Sequence, residues 1–212
     1  PHENICATVS LGFAGLPPYE IIEYVPGRNL RDLIHNRHES VKTNALEILR
    51  KVARGIRYMH DNKILHLDVK PENVLLNTGG DVKDGDRVVK LTDFDLSRRL
   101  SGGKSLVRSR AGTASHMAPE QLVKGSVSYG NDIFAFGVLA YYLVTGKMPF
   151  DGFTLKEVRR NQVSNNFEIA EPRKVNPDLA PRLSWVIMRC LERDTTERFL
   201  NLAYLCRELD RV

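Results

Sequence analysis

The sequence predicts an α+β fold, a mainly helical body with a small set of strands toward its N-terminal end. Three patterns carry this expectation. Between Val41 and His60, apolar residues fall at Ala45, Ile48, Leu49, Val52, Ile56 and Met59, one stripe with a helical period. Residues 133–144, IFAFGVLAYYLV, are apolar on every side, which suits a helix in the middle of a core. Runs that read as extended are short and lie in the first half of the chain.

In chain order, ICATVSLGF (5–13) and YEIIEYV (19–25) read as two strands of a small antiparallel pair. A turn at Gly15–Pro18 separates them and Pro26-Gly27 ends the second. From Asn29 the character becomes helical. The pieces KILHL (63–67), NVLLN (73–77) and VVKLTDF (88–94) are extended again. The Gly/Asp-rich link NTGGDVKDGD (77–86) makes the last two a hairpin, expected to lie beneath a loop-borne site. Residues 97–117 are polar, basic and contain Gly and Ser, and predict a mobile segment. After Asn131 the pattern is helical to the end, interrupted at Pro149, Pro172, Pro177 and Pro181.

At 212 residues the chain fits one domain, or one with a small appendage. Such a length buries roughly 70% of the unfolded surface and needs no disulfides. Cys6, Cys190 and Cys206 are scattered, odd in number and free of C-x-x-C spacing, which points to a reducing compartment, expected to be cytoplasmic, and argues against structural zinc. The net charge is +5, but acidic residues are interleaved throughout, so no nucleic-acid partner is expected. No window reaches the ~18–20 apolar residues that cross a bilayer. The first residue is Pro1 with no signal-peptide pattern after it, so we expect the chain to begin inside a longer protein.

The densest chemistry lies in HLDVKPENVLL (66–76). Asp68, Lys70 and Asn73 place a carboxylate, a cation and an amide oxygen within six residues. Phosphoryl transfer needs such a set: a carboxylate beside the acceptor hydroxyl, positive charge near the transferred group, and oxygen ligands for magnesium. Pro71 keeps Lys70 out of helical geometry, so the loop stays extended. Asp93, in KLTDFDLS after the hairpin, is the candidate second metal ligand. Singly, Asp68 and Asn73 are ordinary turn formers and Asp93 an ordinary cap. Their joint spacing with Lys70 favours function. His66 reads as structural, a core hydrogen-bonding histidine.

HLDVKPENVLL, then TDFD, then GTASHMAPE (112–120) together resemble the catalytic core of the eukaryotic-type (Hanks-type) serine/threonine protein kinases, most like the bacterial members, over nearly the whole chain. The resemblance implies a protein kinase-like fold, with residues 1–25 a remnant of the N-lobe plus hinge and residues 26–212 the C-lobe. It implies transfer of the ATP γ-phosphate, with Mg2+, to Ser or Thr hydroxyls of protein substrates. In this likeness Asp68 is the catalytic base, Lys70 contacts the γ-phosphate, and Thr113 with Lys70 marks the serine/threonine branch. Asn73 and Asp93 are the magnesium ligands. Ile22, Glu23, Tyr24 and Val25 match the gatekeeper and hinge, with Glu23 and Val25 presenting backbone to adenine and Leu75 flooring its pocket. Glu120 and Arg198 match a buried ion pair bracing the activation segment, and Asp132 an anchor beneath the catalytic loop.

The departures carry expectations of their own. Leu67 replaces an arginine that pairs with a phosphorylated activation segment in many kinases, so activity is expected not to depend on phosphate there, although RRLS (98–101) resembles a self-phosphorylation site. Asp95 replaces a glycine and is expected either to restrict that backbone or to add charge near the metal. His116 stands where tyrosine is common, near the surface that would meet the residue after the acceptor. PHENIC resembles the link before the fourth N-lobe strand, so the glycine-rich loop and strand lysine are expected to be missing, and the piece alone to be weakly active and prone to self-associate around Ile5, Leu75 and Phe94. The competing readings are a pseudokinase-like scaffold or binding module, and a small-molecule phosphotransferase of the aminoglycoside kinase type, which lacks the GT…APE segment.

Overall fold

The computed structural model describes residues 1–13, 18–77, 87–100 and 113–212, with the backbone of 107–108. The tight part of the first turn (14–17), most of the hairpin link (78–86), and Ser101, Ser105, Ser109 and Gly112 lie outside the described residues.

Strands β1 (Thr8–Gly12) and β2 (Tyr19–Ile22) pair antiparallel as expected, from Gly12↔Tyr19 to Thr8↔Ile22, with an irregularity between Thr8 and Ser10. Ile5 does not join β1; it bridges Leu91, flanked by Leu91 N–H donating to Asn4 O at 3.0 Å and Cys6 N–H to Leu91 O at 2.7 Å. The chain then enters β3 (Gly27–Asn29), α1 (Leu30–His35), α2 (Glu39–Thr43) and the long α3 (Ala45–Asp61). In α3 the stripe turns inward, burying Ile48, Leu49, Val52, Ile56 and Met59.

After β4 (Ile64–Leu65), the stretch 66–73 leads into β5 (Val74–Asn77), which pairs antiparallel with β6 (Val89–Leu91), the expected hairpin. β3 pairs on the other edge of β5, so the small sheet is ordered β3-β5-β6. Further on, β7 (Arg98–Arg99) pairs with β4, and β8 (Val107–Arg108) with β9 (Ser126–Val127), the strand that follows α4 (Pro119–Lys124). β4 lies within KILHL, which reads as extended, whereas β3, β7, β8 and β9 escape sequence reading because a period cannot show itself over two or three residues.

The apolar run becomes α5 (Tyr129–Thr145), buried from Asn131 to Tyr141. Ser128 caps it, its Oγ accepting from Gly130 N–H at 3.3 Å while Asn131 Oδ1 accepts from Ser128 N–H at 2.6 Å. Gly146, at φ 69, ends it in the left-handed conformation that glycine tolerates. α6 (Leu155–Val163), α7 (Pro172–Val175), α8 (Pro181–Cys190) and α9 (Leu202–Asp210) complete the chain. Pro172 and Pro181 start helices, where the missing N–H costs nothing. At Gly137 α5 meets α8 so closely that an added Cβ would lie 2.6 Å from Cys190 Cβ. One core joins α1, α3, β5, β6, α5, α8 and α9, and a satellite of Leu65, Leu67, Leu100 and Val127 lies under the 66–73 loop. All three cysteines are free and buried, and among the described residues no helix is long and apolar enough to cross a membrane.

Candidate functional site

The site is a loop with little regular structure, fixed from beneath. Asp132, in the first turn of α5 and 0% exposed, accepts from His66 N–H at 2.9 Å, Leu67 N–H at 2.8 Å and His60 Nε2 at 2.8 Å. Burial by itself would raise the Asp132 pKa, but these donors hold it below the ordinary carboxylate value. Leu67 sits at φ 65, unusual for a branched residue, and is held there by Asp132 on its amide and by the satellite cluster on its side chain. His66 is 0% exposed and burial lowers its pKa, so the ring is neutral. Its Nδ1 accepts from Asp68 N–H at 3.3 Å, which places the proton on Nε2 and makes the residue structural, as expected.

On that base Asp68, Lys70, Asn73 and Thr113 come together. Lys70 Nζ donates to Asp68 Oδ2 at 2.6 Å and to Thr113 Oγ1 at 2.9 Å. Thr113 returns two bonds to Asp68 Oδ1, from its N–H at 3.0 Å and its hydroxyl at 2.9 Å. Burial alone would raise the Asp68 pKa; the bonds from Lys70 and Thr113 outweigh it and hold the carboxyl below its ordinary value. Lys70 is extended, at φ −157 and ψ 162, and Pro71 starts a 3-10 turn through Asn73, as the loop reading required. Asn73 Nδ2 donates to Asp68 O at 2.9 Å and to Asp68 Oδ2 at 3.1 Å, leaving its Oδ1 without a protein donor among the described residues.

Thr92, the residue before Asp93, lies across the hairpin from Asn73: its N–H donates to Asn73 O at 3.0 Å, one step beyond the Val74↔Leu91 pair. The Asp93 carboxylate is exposed, and among the described residues no ion pair or side-chain hydrogen bond engages it. No group of three or more His, Cys, Asp or Glu among the described residues could hold a metal by itself. An oxygen pair of one amide and one free carboxylate nevertheless fits magnesium, which usually takes one or two carboxylates and completes its shell with phosphate oxygens and water. Asp93 adopts φ 64, whereas Asp95 is absent from the positive-φ residues. The backbone freedom expected to matter at 95 is therefore exercised at 93.

Of the adenine-side residues, Glu23 is tied down by its side chain, accepting from Lys90 Nζ at 2.6 Å and Ala7 N–H at 3.0 Å. Lys90 holds its carboxyl below the ordinary range. Glu23 N–H donates to Ala7 O at 2.9 Å, so of its backbone only the carbonyl is free among the described contacts. Val25 has no described backbone bond, and Leu75, half-buried, pairs with Asn29 and Lys90.

Glu120 and Arg198 form the expected pair, bidentate at 2.8 and 2.9 Å, with Arg198 also donating to the carbonyls of Gly130, Glu192 and Arg193. His116 departs from expectation: it is buried at 6% exposure, so its ring does not reach the surface. Residues 97–117 also differ from the expected mobile segment at their described ends, because β7 is paired and Thr113 is locked to Asp68. Sequence reading missed His60, Lys90 and Gln162, polar residues with no motif around them, whose roles arise only from what packs beside them.

A family model described as the protein kinase domain matches residues 2–207. The chain is 29% identical over its full length to "Serine/threonine-protein kinase PknB" of Mycolicibacterium smegmatis, covering 33% of that protein. It is similar at 29% to the protein of the same name in Mycobacterium leprae, again with 100% of this chain and 33% of the relative. It is 27% identical, over 99% of its length and 31% of the relative's, to a Clostridium acetobutylicum protein named a probable serine/threonine-protein kinase. The chain thus spans about a third of the length of the curated relatives it matches.

Proposed function

The chain belongs to the protein kinase domain family, and from that premise we propose that it transfers the γ-phosphate of ATP to serine or threonine hydroxyls of protein substrates. The observation that carries the proposal is the closed set Asp68–Lys70–Thr113 with Asn73 against it. Asp68, kept ionised, orients the acceptor hydroxyl and takes its proton. Lys70 brings positive charge to the transferred group, and Thr113 holds Asp68 and Lys70 in register. Asn73 Oδ1 and Asp93 would hold magnesium, which when bound screens the phosphate charge. The Glu23 carbonyl and Val25 backbone would meet adenine above Leu75. In this reading residues 1–25 are the end of the small lobe with the hinge, and residues 26–212 the large lobe.

Transfer from Mg-ATP to a generic basic protein by the full-length protein carrying these residues is the test. Asp68→Asn should lower the rate roughly 100- to 10,000-fold with the fold intact. Equal transfer by the variant would leave the proposal without its base.

Leu67 supports a narrower reading. An apolar side chain buried in the satellite cluster offers no charge to a phosphate, so activity should not require activation-segment phosphorylation. Single changes of Ser101, Ser105 or Ser109 to Ala, and Thr113→Ser, should leave most activity; complete loss in any of them through missing phosphate would contradict it. Self-association is expected through β1–β2 rather than around Ile5, Leu75 and Phe94, which are partly buried, whereas Val9, Leu11, Phe13 and Tyr19 are exposed. Three buried thiols agree with a cytoplasmic setting.

A further inference from the structure

Segment 113–117 carries Thr113, yet its local bonds are few. His116 N–H donates to Thr113 O at 2.9 Å and Met117 N–H to Ala114 O at 3.3 Å, a single 3-10 turn. At one end Thr113 is tied to Asp68 and Lys70; the rest of the turn is held by side-chain bonds from α6. Gln162, 0% exposed, directs Nε2 at three carbonyls of this turn: Ala114 O at 3.1 Å, Ser115 O at 3.0 Å and Met117 O at 3.3 Å. The amide orientation follows from its neighbours, since a carbonyl oxygen turned toward three others would be repelled.

Gln162 is itself braced. Arg193 donates to Gln162 O at 3.1 Å, Asn161 O at 3.1 Å and Phe167 O at 2.8 Å, fixing the end of α6. The other amide atom, Gln162 Oε1, is buried without a partner among the described residues. A methionine would fill nearly the same space without stranding an oxygen. A buried glutamine with one unsatisfied atom makes sense where its N–H groups are needed by the carbonyls they face.

We propose that Gln162 is a positioning residue that, by gathering the carbonyls of Ala114, Ser115 and Met117, fixes segment 113–117 and through Thr113 the orientation of the Asp68 carboxylate. The consequence for catalysis rests on the reading of Asp68 as the group that orients the acceptor; the mechanical claim does not. The path is continuous: Arg193 to the end of α6, Gln162 to the turn, Thr113 to both Asp68 and Lys70. It makes the 113–117 turn an extension of α6 in stiffness, although Gln162 and Met117 are 45 residues apart in sequence.

The test compares the parent chain with Gln162→Met, which keeps length and removes the donors, and Gln162→Asn, which keeps the amide one methylene short of the carbonyls. Amide hydrogen exchange at Thr113, His116 and Met117 should quicken at least about tenfold in both, while amides of α5 and α8 stay as protected as before. Unchanged exchange at 113–117, or equal acceleration throughout α5 and α8, overturns the proposal, the latter by showing a residue that only fills the core. Hydrogen exchange needs no phosphate transfer, so failure of the kinase reading would appear separately, as an Asp68→Asn variant that transfers as well as the parent.

Discussion

Strands β1 and β2 and residues 66–73 are opposites in how they are held. The β1–β2 pair has a ladder, broken once between Thr8 and Ser10, and little burial, with Val9 67% and Tyr19 56% exposed. The 66–73 loop has one turn of 3-10 helix and is buried almost throughout, and His66, Leu67, Asp68 and Asn73 each hydrogen-bond to other residues. Regular hydrogen bonding therefore does not rank these regions by rigidity. Backbone bonds exchanged for bonds to water contribute little net, whereas a buried acceptor with several donors fails all at once when removed. The loop that would do chemistry is the one whose amides and Asp68 carboxylate are tied to residues distant in sequence.

The sharpest way to break this contrast is Asp132→Ala, which strands the amides of His66 and Leu67 and the His60 ring in the interior. Urea unfolding should show a loss of roughly 3–5 kcal/mol. A loss under about 1 kcal/mol would mean the loop does not depend on its hub. Leu67→Ala should follow at roughly 2–4 kcal/mol, because it empties part of the satellite cluster while keeping the strained backbone. A near-neutral result would show that the cluster collapses to fill the gap.

The pH response comes next. Burial lowers the His116 pKa from 6.5 to about 4, against the pull of Glu72 and Asp68 and with Lys70 and Arg31 lowering it further. Between those values the unfolded chain binds a proton that the folded chain refuses. Stability is therefore complete above the unfolded pKa and falls as pH drops toward the folded one. His116 by itself should cost about 2 kcal/mol between pH 7 and pH 5. His116→Phe should flatten that part of the urea-stability profile; an identical slope in the variant would show that His116 is not the source. Smallest of all, Val9→Thr or Ile21→Thr in the hairpin should stay within about 0.5 kcal/mol, since both side chains are already in water. A larger effect would reveal that β1–β2 is packed against something.

Much of this was legible in the residues. The α3 stripe, the all-apolar α5 and the β5–β6 hairpin depend on neighbours two to four positions away, and they appear where the pattern puts them. The Asp68–Lys70–Asn73 spacing likewise presents its groups from one short loop. The His116 expectation failed because its neighbours in sequence do not report which way a side chain in a single turn will point; packing turned it inward. The same holds for Gln162, whose helix LKEVRRNQV reads as solvent-facing over most of its length.

By itself the sequence determined which groups could react and how the chain alternates between helix and strand, because both are encoded within a few residues. Only the tertiary structure decided which buried polar atom answers which amide. Asp132 reaches His66 and Leu67 across 66 and 65 residues, and Thr113 reaches Asp68 across 45. Such pairings are set where distant segments bury one another, and there each unmatched donor or acceptor costs free energy, so most are matched.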